Sequence, residues 1–156
     1  MKKRKPNTTL ALNLLMALVM TLIAVLHFTP FWNAEGHSVS LMGYLGFPDK
    51  HNALTAWLNS SIEGGFEINQ IVFWAFFPAV FSAAGTILCL RFREKTAPAL
   101  MALLVSVLGI LFCILSPAFR LGTVWGLYLA LYLLLLSLAA GAFLTAASRN
   151  CHSDTP

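Results

Sequence analysis

Four long stretches of this chain carry no Asp, Glu, Lys or Arg: Leu10 to Phe28, Ile71 to Leu90, Pro98 to Leu115 and Val124 to Ala146. At about 1.5 Å of rise per helical residue, each is long enough to cross a hydrocarbon layer roughly 30 Å thick. Hydrophobic residues make up 58% of the 156 residues and charged residues 10%, against roughly 45–50% and 25% in ordinary soluble domains. A water-soluble core of this size could not hide such an excess, because a small domain has too much surface for its volume. The sequence therefore predicts an all-α integral membrane protein with four transmembrane helices, built as one domain over residues 1–156. Its spans are expected at about 10–28, 71–90, 98–115 and 124–146.

The placement of charge orients these spans. The chain has ten Lys and Arg residues. Lys2, Lys3, Arg4 and Lys5 precede the first run, Arg91, Arg93 and Lys95 separate the second from the third, and Arg149 follows the fourth. Only Lys50 and Arg120 fall on the other side. Basic residues collect on the cytoplasmic flanks of membrane spans, so both termini are expected in the cytoplasm and the long 30–70 connection outside, in a cell membrane. The same rule accounts for the Lys-Lys-Arg-Lys run without nucleic acid. A cleaved leader has a shorter apolar core and a small-residue cleavage site. Here Thr29-Pro30-Phe31-Trp32 follows instead, so the first run reads as a retained span.

The 30–70 connection reads as a structured outer loop. Pro30 ends the first helix. Phe31 and Trp32 are expected in the aromatic belt at the membrane surface. Ser38-Val39-Ser40-Leu41 alternates with period two, and Gly36 before it supplies a turn, which predicts a short β-hairpin. From Asp49, a candidate helix cap, Leu54, Trp57, Leu58 and Ile62 share one face while Asn52, Thr55, Asn59 and Glu63 share the other. That pattern predicts an interfacial amphipathic helix ended by Gly64-Gly65. Trp32, Tyr44 and Trp57 are the loop's candidate partner-binding residues.

Each span also carries a stripe of small or weakly polar residues. Asn13, Ala17, Thr21 and Ala24 form it in the first span, and Ala75, Ala79, Ser82 and Thr86 in the second. Ala102, Ser106, Gly109 and Cys113 form it in the third, and Ser137, Gly141 and Thr145 in the fourth. Lipid solvates Leu and Val well and small polar groups poorly, so such stripes face other helices. Asn13, Thr21, Ser106, Gly109 and Gly141 are the candidate helix-packing residues, within one bundle or between copies.

Residues that carry chemistry are sparse. Inside the four expected spans the one group that titrates near neutral pH is His27, at the outer end of the first, where a structural role is expected. Proton-coupled exchange through a membrane carboxylate has no residue to use. Cys89, Cys113 and Cys151 form no C-x-x-C pair and predict no disulfide framework. In the loop, Glu35-x-His37 and Asp49-x-His51 offer two carboxylates and two imidazoles, though at no zinc-site spacing. No catalytic residue, cofactor or metal is assigned on this basis.

The functional expectation is a small non-enzymatic membrane protein acting through protein contacts, as an accessory subunit or envelope component. Its partners would be the lipid bilayer and a membrane protein or a second copy, and not nucleic acid. The alternative is a small transporter or channel subunit passing a neutral or lipidic substrate along Asn13, Thr21, Ser82, Thr86 and Ser106. Behind these stands a membrane enzyme with an outer-loop metal site at Glu35, His37, Asp49 and His51.

Overall fold

The computed structural model describes residues 8–34, 36–42, 48–62, 68–92 and 95–153. Its elements, in order, are α1 (Thr8–Leu26), β1 (Pro30–Ala34), β2 (His37–Ser40), α2 (Pro48–Ser61), α3 (Ile68–Arg91), α4 (Ala97–Leu115), α5 (Pro117–Arg120) and α6 (Trp125–Ser153). The chain is mostly helical, with one two-stranded antiparallel sheet. Among the described residues, three helices are long and apolar enough to cross a membrane: α1, α4 and α6, the last over Trp125–Ser148. α1 packs against α3 and α6, α4 packs against α6 and α3, and α1 and α4 meet each other over a smaller contact.

Polarity is sorted the opposite way round from a water-soluble helix. α1 buries Thr9, Asn13, Met16, Ala17, Met20 and Ile23 while Leu14, Leu15, Leu18, Leu22 and Val25 face outward. α4 buries Pro98, Ala99, Ala102, Ser106, Gly109 and Cys113 and exposes Leu100, Leu104, Leu111 and Ile114. In water that arrangement would expose the groups water rejects and bury those it accepts. Beside lipid it is favourable, because leucine loses nothing there and a small inward residue lets helix backbones approach. Length, composition and this inverted sorting together fit a multi-pass membrane protein.

On α4, Gly109 lies beneath the ring of Tyr132 on α6, where a Cβ would have no room. On α1, the Met20 side chain meets Gly85 of α3 in the same manner. At the end of the molecule where α3 turns into α4, Asn13 Nδ2 donates to the Lys95 carbonyl at 2.8 Å and the Phe92 carbonyl at 3.5 Å. A side-chain amide from α1 thereby bonds backbone carbonyls of the turn between α3 and α4. Arg91 and Lys95 lie over the Phe92 ring at 5.9 and 5.5 Å from its centroid, a favourable cation–π geometry.

Element ends differ from the sequence expectation in physically readable ways. α1 stops at Leu26 rather than Phe28, because the Thr29 hydroxyl and amide both donate to the Leu26 carbonyl, at 2.7 and 3.0 Å. After Ser116-Pro117 the chain forms the short helix α5, with Ser116 Oγ accepting from the Phe119 amide at 3.3 Å. α6 continues to Ser153, past the apolar run's end at Ala146. Over its described side chains α3 offers a shorter apolar helix, Phe76–Arg91. The side chain of the expected cap Asp49 and the whole of residues 43–47 and 63–67 lie outside what the structure describes.

The Gly109 contact makes a steric prediction. Gly109→Ala should lower stability in detergent by about 1–3 kcal/mol, since the new methyl must displace the Tyr132 ring. Gly126→Ala, with no atom within 4 Å of the added carbon, should be near neutral. Thermal unfolding of the two variants side by side checks the contrast.

Candidate functional site: the hairpin cap

The β1–β2 hairpin closes one end of the helices, and its local sequence explains how. Ala34 pairs with His37, Asn33 with Ser38, Trp32 with Val39, and Pro30 with Ser40, so the register slips between Pro30 and Trp32. Gly36 occupies the turn at φ 80°, a conformation glycine adopts without a Cβ penalty. Successive strand residues ordinarily point to opposite faces, but a bulge re-aims one of them. Here Phe31 and Trp32 are adjacent and both buried, at 0% and 1% exposure.

Phe31 is the plug. Its ring lies 4.5 Å from that of Phe119 and 5.6 Å from that of Tyr128, centroid to centroid, and 4.8 Å from Trp32. It rests on the bare Cα of Gly122. Its carbonyl accepts from the Thr123 amide at 2.8 Å and the Thr123 hydroxyl at 3.1 Å. Trp32 Nε1 donates to the Ala118 carbonyl at 3.0 Å. Val39, Leu41 and Leu58 of α2 complete the buried apolar layer. Burying a phenylalanine is worth about 1.5–3 kcal/mol and aromatic pairs add about 0.5–1.5 each, so these contacts hold the hairpin firmly.

Under the plug sits the buried His27, one residue past the end of α1. Its Nδ1–H donates to the Ile23 carbonyl at 2.7 Å, since a carbonyl can only accept. Its own backbone carbonyl accepts from the Met42 amide at 2.9 Å, and its ring meets that of Tyr128 edge-on at 5.2 Å and 89°. Burial depresses its pKa from 6.5 to about 4, only partly opposed by the Ile23 bond. The imidazole is therefore neutral near pH 7, which suits a structural tie. The Tyr128 hydroxyl is buried without a partner among the described residues.

The sequence-predicted residues fall in different places. Sequence pattern puts Trp32 in a surface aromatic belt; the structure buries it, because the bulge turns it and Phe31 onto α5 together. Trp57 is half-buried against the core. Tyr44 and Glu35 lie outside the described residues, as do the side chains of His37, Asp49 and His51. Asn13 and Ser106 are fully buried, Ser106 bonding the Leu103 carbonyl at 2.9 Å. Thr21 is exposed, donates to the Ala17 carbonyl at 2.8 Å and lies 3.3 Å from the Thr86 hydroxyl of α3. Gly141 is half-buried and faces α1, where a Cβ added to it would stand 4.0 Å from the Leu12 side chain. What sequence reasoning misses is the receiving side of the cap: Ala118, Phe119, Gly122 and Thr123. The adjacent small residues Gly122-Thr123 in a short connection are the one local signal.

No family model, no curated protein and no solved structure matches this chain.

Two measurements probe the cap. Because the folded-state pKa of His27 is depressed, the unfolded chain binds the extra proton first, and stability falls as pH drops from about 6.5 towards 4. Wild type should lose up to about 3 kcal/mol across that window relative to His27→Gln, read as diverging melting temperatures in detergent. Separately, Tyr128→Phe removes a buried hydroxyl that has no partner among the described residues and should stabilise the fold by about 1 kcal/mol. Destabilisation on that substitution would mean the hydroxyl is bonded.

Proposed function

We propose that this is a four-span protein of the cell membrane that works through protein contacts at its capped end, without catalysing a reaction. α3 is the fourth span in this reading. Its 24 residues reach about 36 Å as a helix, it lies against α1 and α4, and it turns Phe76, Val80, Ile87 and Leu90 outward. The basic residues at the α3–α4 turn and before α1 support cytoplasmic termini with the cap outside.

The observation that carries the functional reading is the cap itself. A folded hairpin and helix, fixed through Phe31, Trp32, Leu41 and Leu58, present the other side of α2 to solvent at Ala56, Asn59, Ser60 and Ser61. Recognition surfaces are commonly insertions held by a rigid scaffold. Support for contacts over conduction comes from the polar residues of the spans. Asn13 bonds the α3–α4 turn, Thr21 lies against Thr86, Thr86 bonds the Ser82 carbonyl at 2.9 Å, and Ser106 bonds within its own helix. Asn13 and Thr21 thus tie one helix to another, and Thr86 and Ser106 also bond within their own helices.

A photocrosslinker placed at Ala56 or Ser60 in native membranes tests this reading. One discrete protein adduct is expected, absent with the crosslinker at the lipid-facing Leu133, and reduced several-fold by Trp57→Ala. Equal labelling at all three positions, or an adduct indifferent to Trp57, would remove the basis for it.

A further inference from the structure

Between the end of α2 and α5 lies an open cavity of about 460 Å³, lined by Ser61, Ile62, Pro117, Arg120 and Leu121. Its volume is in the range of small-ligand sites, roughly 300–1,000 Å³. Among the described residues the lining is divided by chemistry: the Arg120 guanidinium and the Ser61 hydroxyl on one hand, and the apolar side chains of Ile62, Pro117 and Leu121 on the other. We propose that this cavity binds the phosphate headgroup of an acidic phospholipid, with Arg120 as the anion-binding group and Leu121 and Ile62 against the start of the acyl chains.

Three observations carry the assignment. Arg120 is exposed, and its guanidinium has no partner among the described residues. The opposing wall is a helix C-terminus, whose free carbonyls would ordinarily repel an anion. In this case the Ser60 and Ser61 hydroxyls both donate to the Trp57 carbonyl at 2.8 Å, and the Ile62 amide donates to the Leu58 carbonyl at 3.0 Å. The helix end is thus partly satisfied, and no described residue engages the cation across from it. Finally, the apolar wall continues into the membrane-facing surface. Leu121 is exposed, and so are Ile114 and Leu115 at the adjoining end of α4. A cation at the edge of a lipid-facing apolar surface matches an amphiphile, and Arg recognises phosphate oxygens through paired N–H donors.

This site is independent of the protein-contact reading above. It is tested by native mass spectrometry of the full chain in detergent, titrated with phosphatidylglycerol, phosphatidylcholine or glycerol 3-phosphate. Wild type should bind phosphatidylglycerol about tenfold more tightly than phosphatidylcholine, the difference expected for one charge-assisted contact. Arg120→Gln should bring the two lipids level, and Arg120→Lys should keep part of the preference. Leu121→Glu, which places a carboxylate on the apolar wall, should abolish it with Arg120 intact. An unchanged preference in Arg120→Gln would overturn the proposal. So would displacement of the lipid by glycerol 3-phosphate at equal concentration, since the cavity would then be a soluble-phosphate site.

Discussion

The architecture depends on what the surroundings of α1, α4 and α6 do not offer, which is a hydrogen-bonding partner. In hydrocarbon a polar group must be satisfied within the protein, while leucine is equally content inside or out. Helices then associate by shape and by shared polar contacts, and the interior fills with residues a soluble core would treat as second choice. Ala102, Ser106, Gly109 and Cys113 occupy the buried face of α4 for that reason. The bulky side chain that fills the space beside them is Tyr132, whose ring crosses the Gly109 backbone. One helix supplies bulk where its neighbour supplies absence.

The two ends of the helices are closed by different means. At the α3–α4 turn the closure is polar: Asn13 donates into two carbonyls far along the chain. At the other end it is aromatic, with Phe31, Phe119, Tyr128 and Phe112 forming a linked cluster of rings. Even there, backbone groups are looked after, since Thr123 takes the Phe31 carbonyl that the strand pairing leaves open. The link joins the first third of the chain to the connection before α6. The cap is consequently part of the fold, and not an appendage on it.

Element type was legible in the sequence because it follows from local pattern. Uncharged runs pointed to α1, α4 and α6, and the alternation after Gly36 pointed to the hairpin. Of the small-residue stripes, Asn13 and Ser106 are interior, while Thr21 is exposed and Gly141 half-buried. The fate of Phe31 and Trp32 was not legible. Next to Pro30 at a span's end, two aromatics fit an interfacial belt as well as they fit a plug. The choice is made by the bulge and by Gly122, Thr123 and Ala118, far away in sequence. No periodicity argument reaches that distance. The extension of α6 to Ser153 escaped for a simpler reason, since polarity ends an apolar run without ending a helix.

The location of charge within this fold bears on where its activity resides. His27, just past the end of α1, is held neutral and bonded back to its own helix, and Asn13 is engaged with backbone. Both groups thus serve cohesion. Arg120 differs from them: it is an exposed guanidinium on the short helix that also receives the hairpin, two residues before the Gly122 on which Phe31 rests. An anion held at Arg120 would sit against the same segment that anchors the cap. Lipid composition at that face and the placement of the cap are therefore mechanically adjacent.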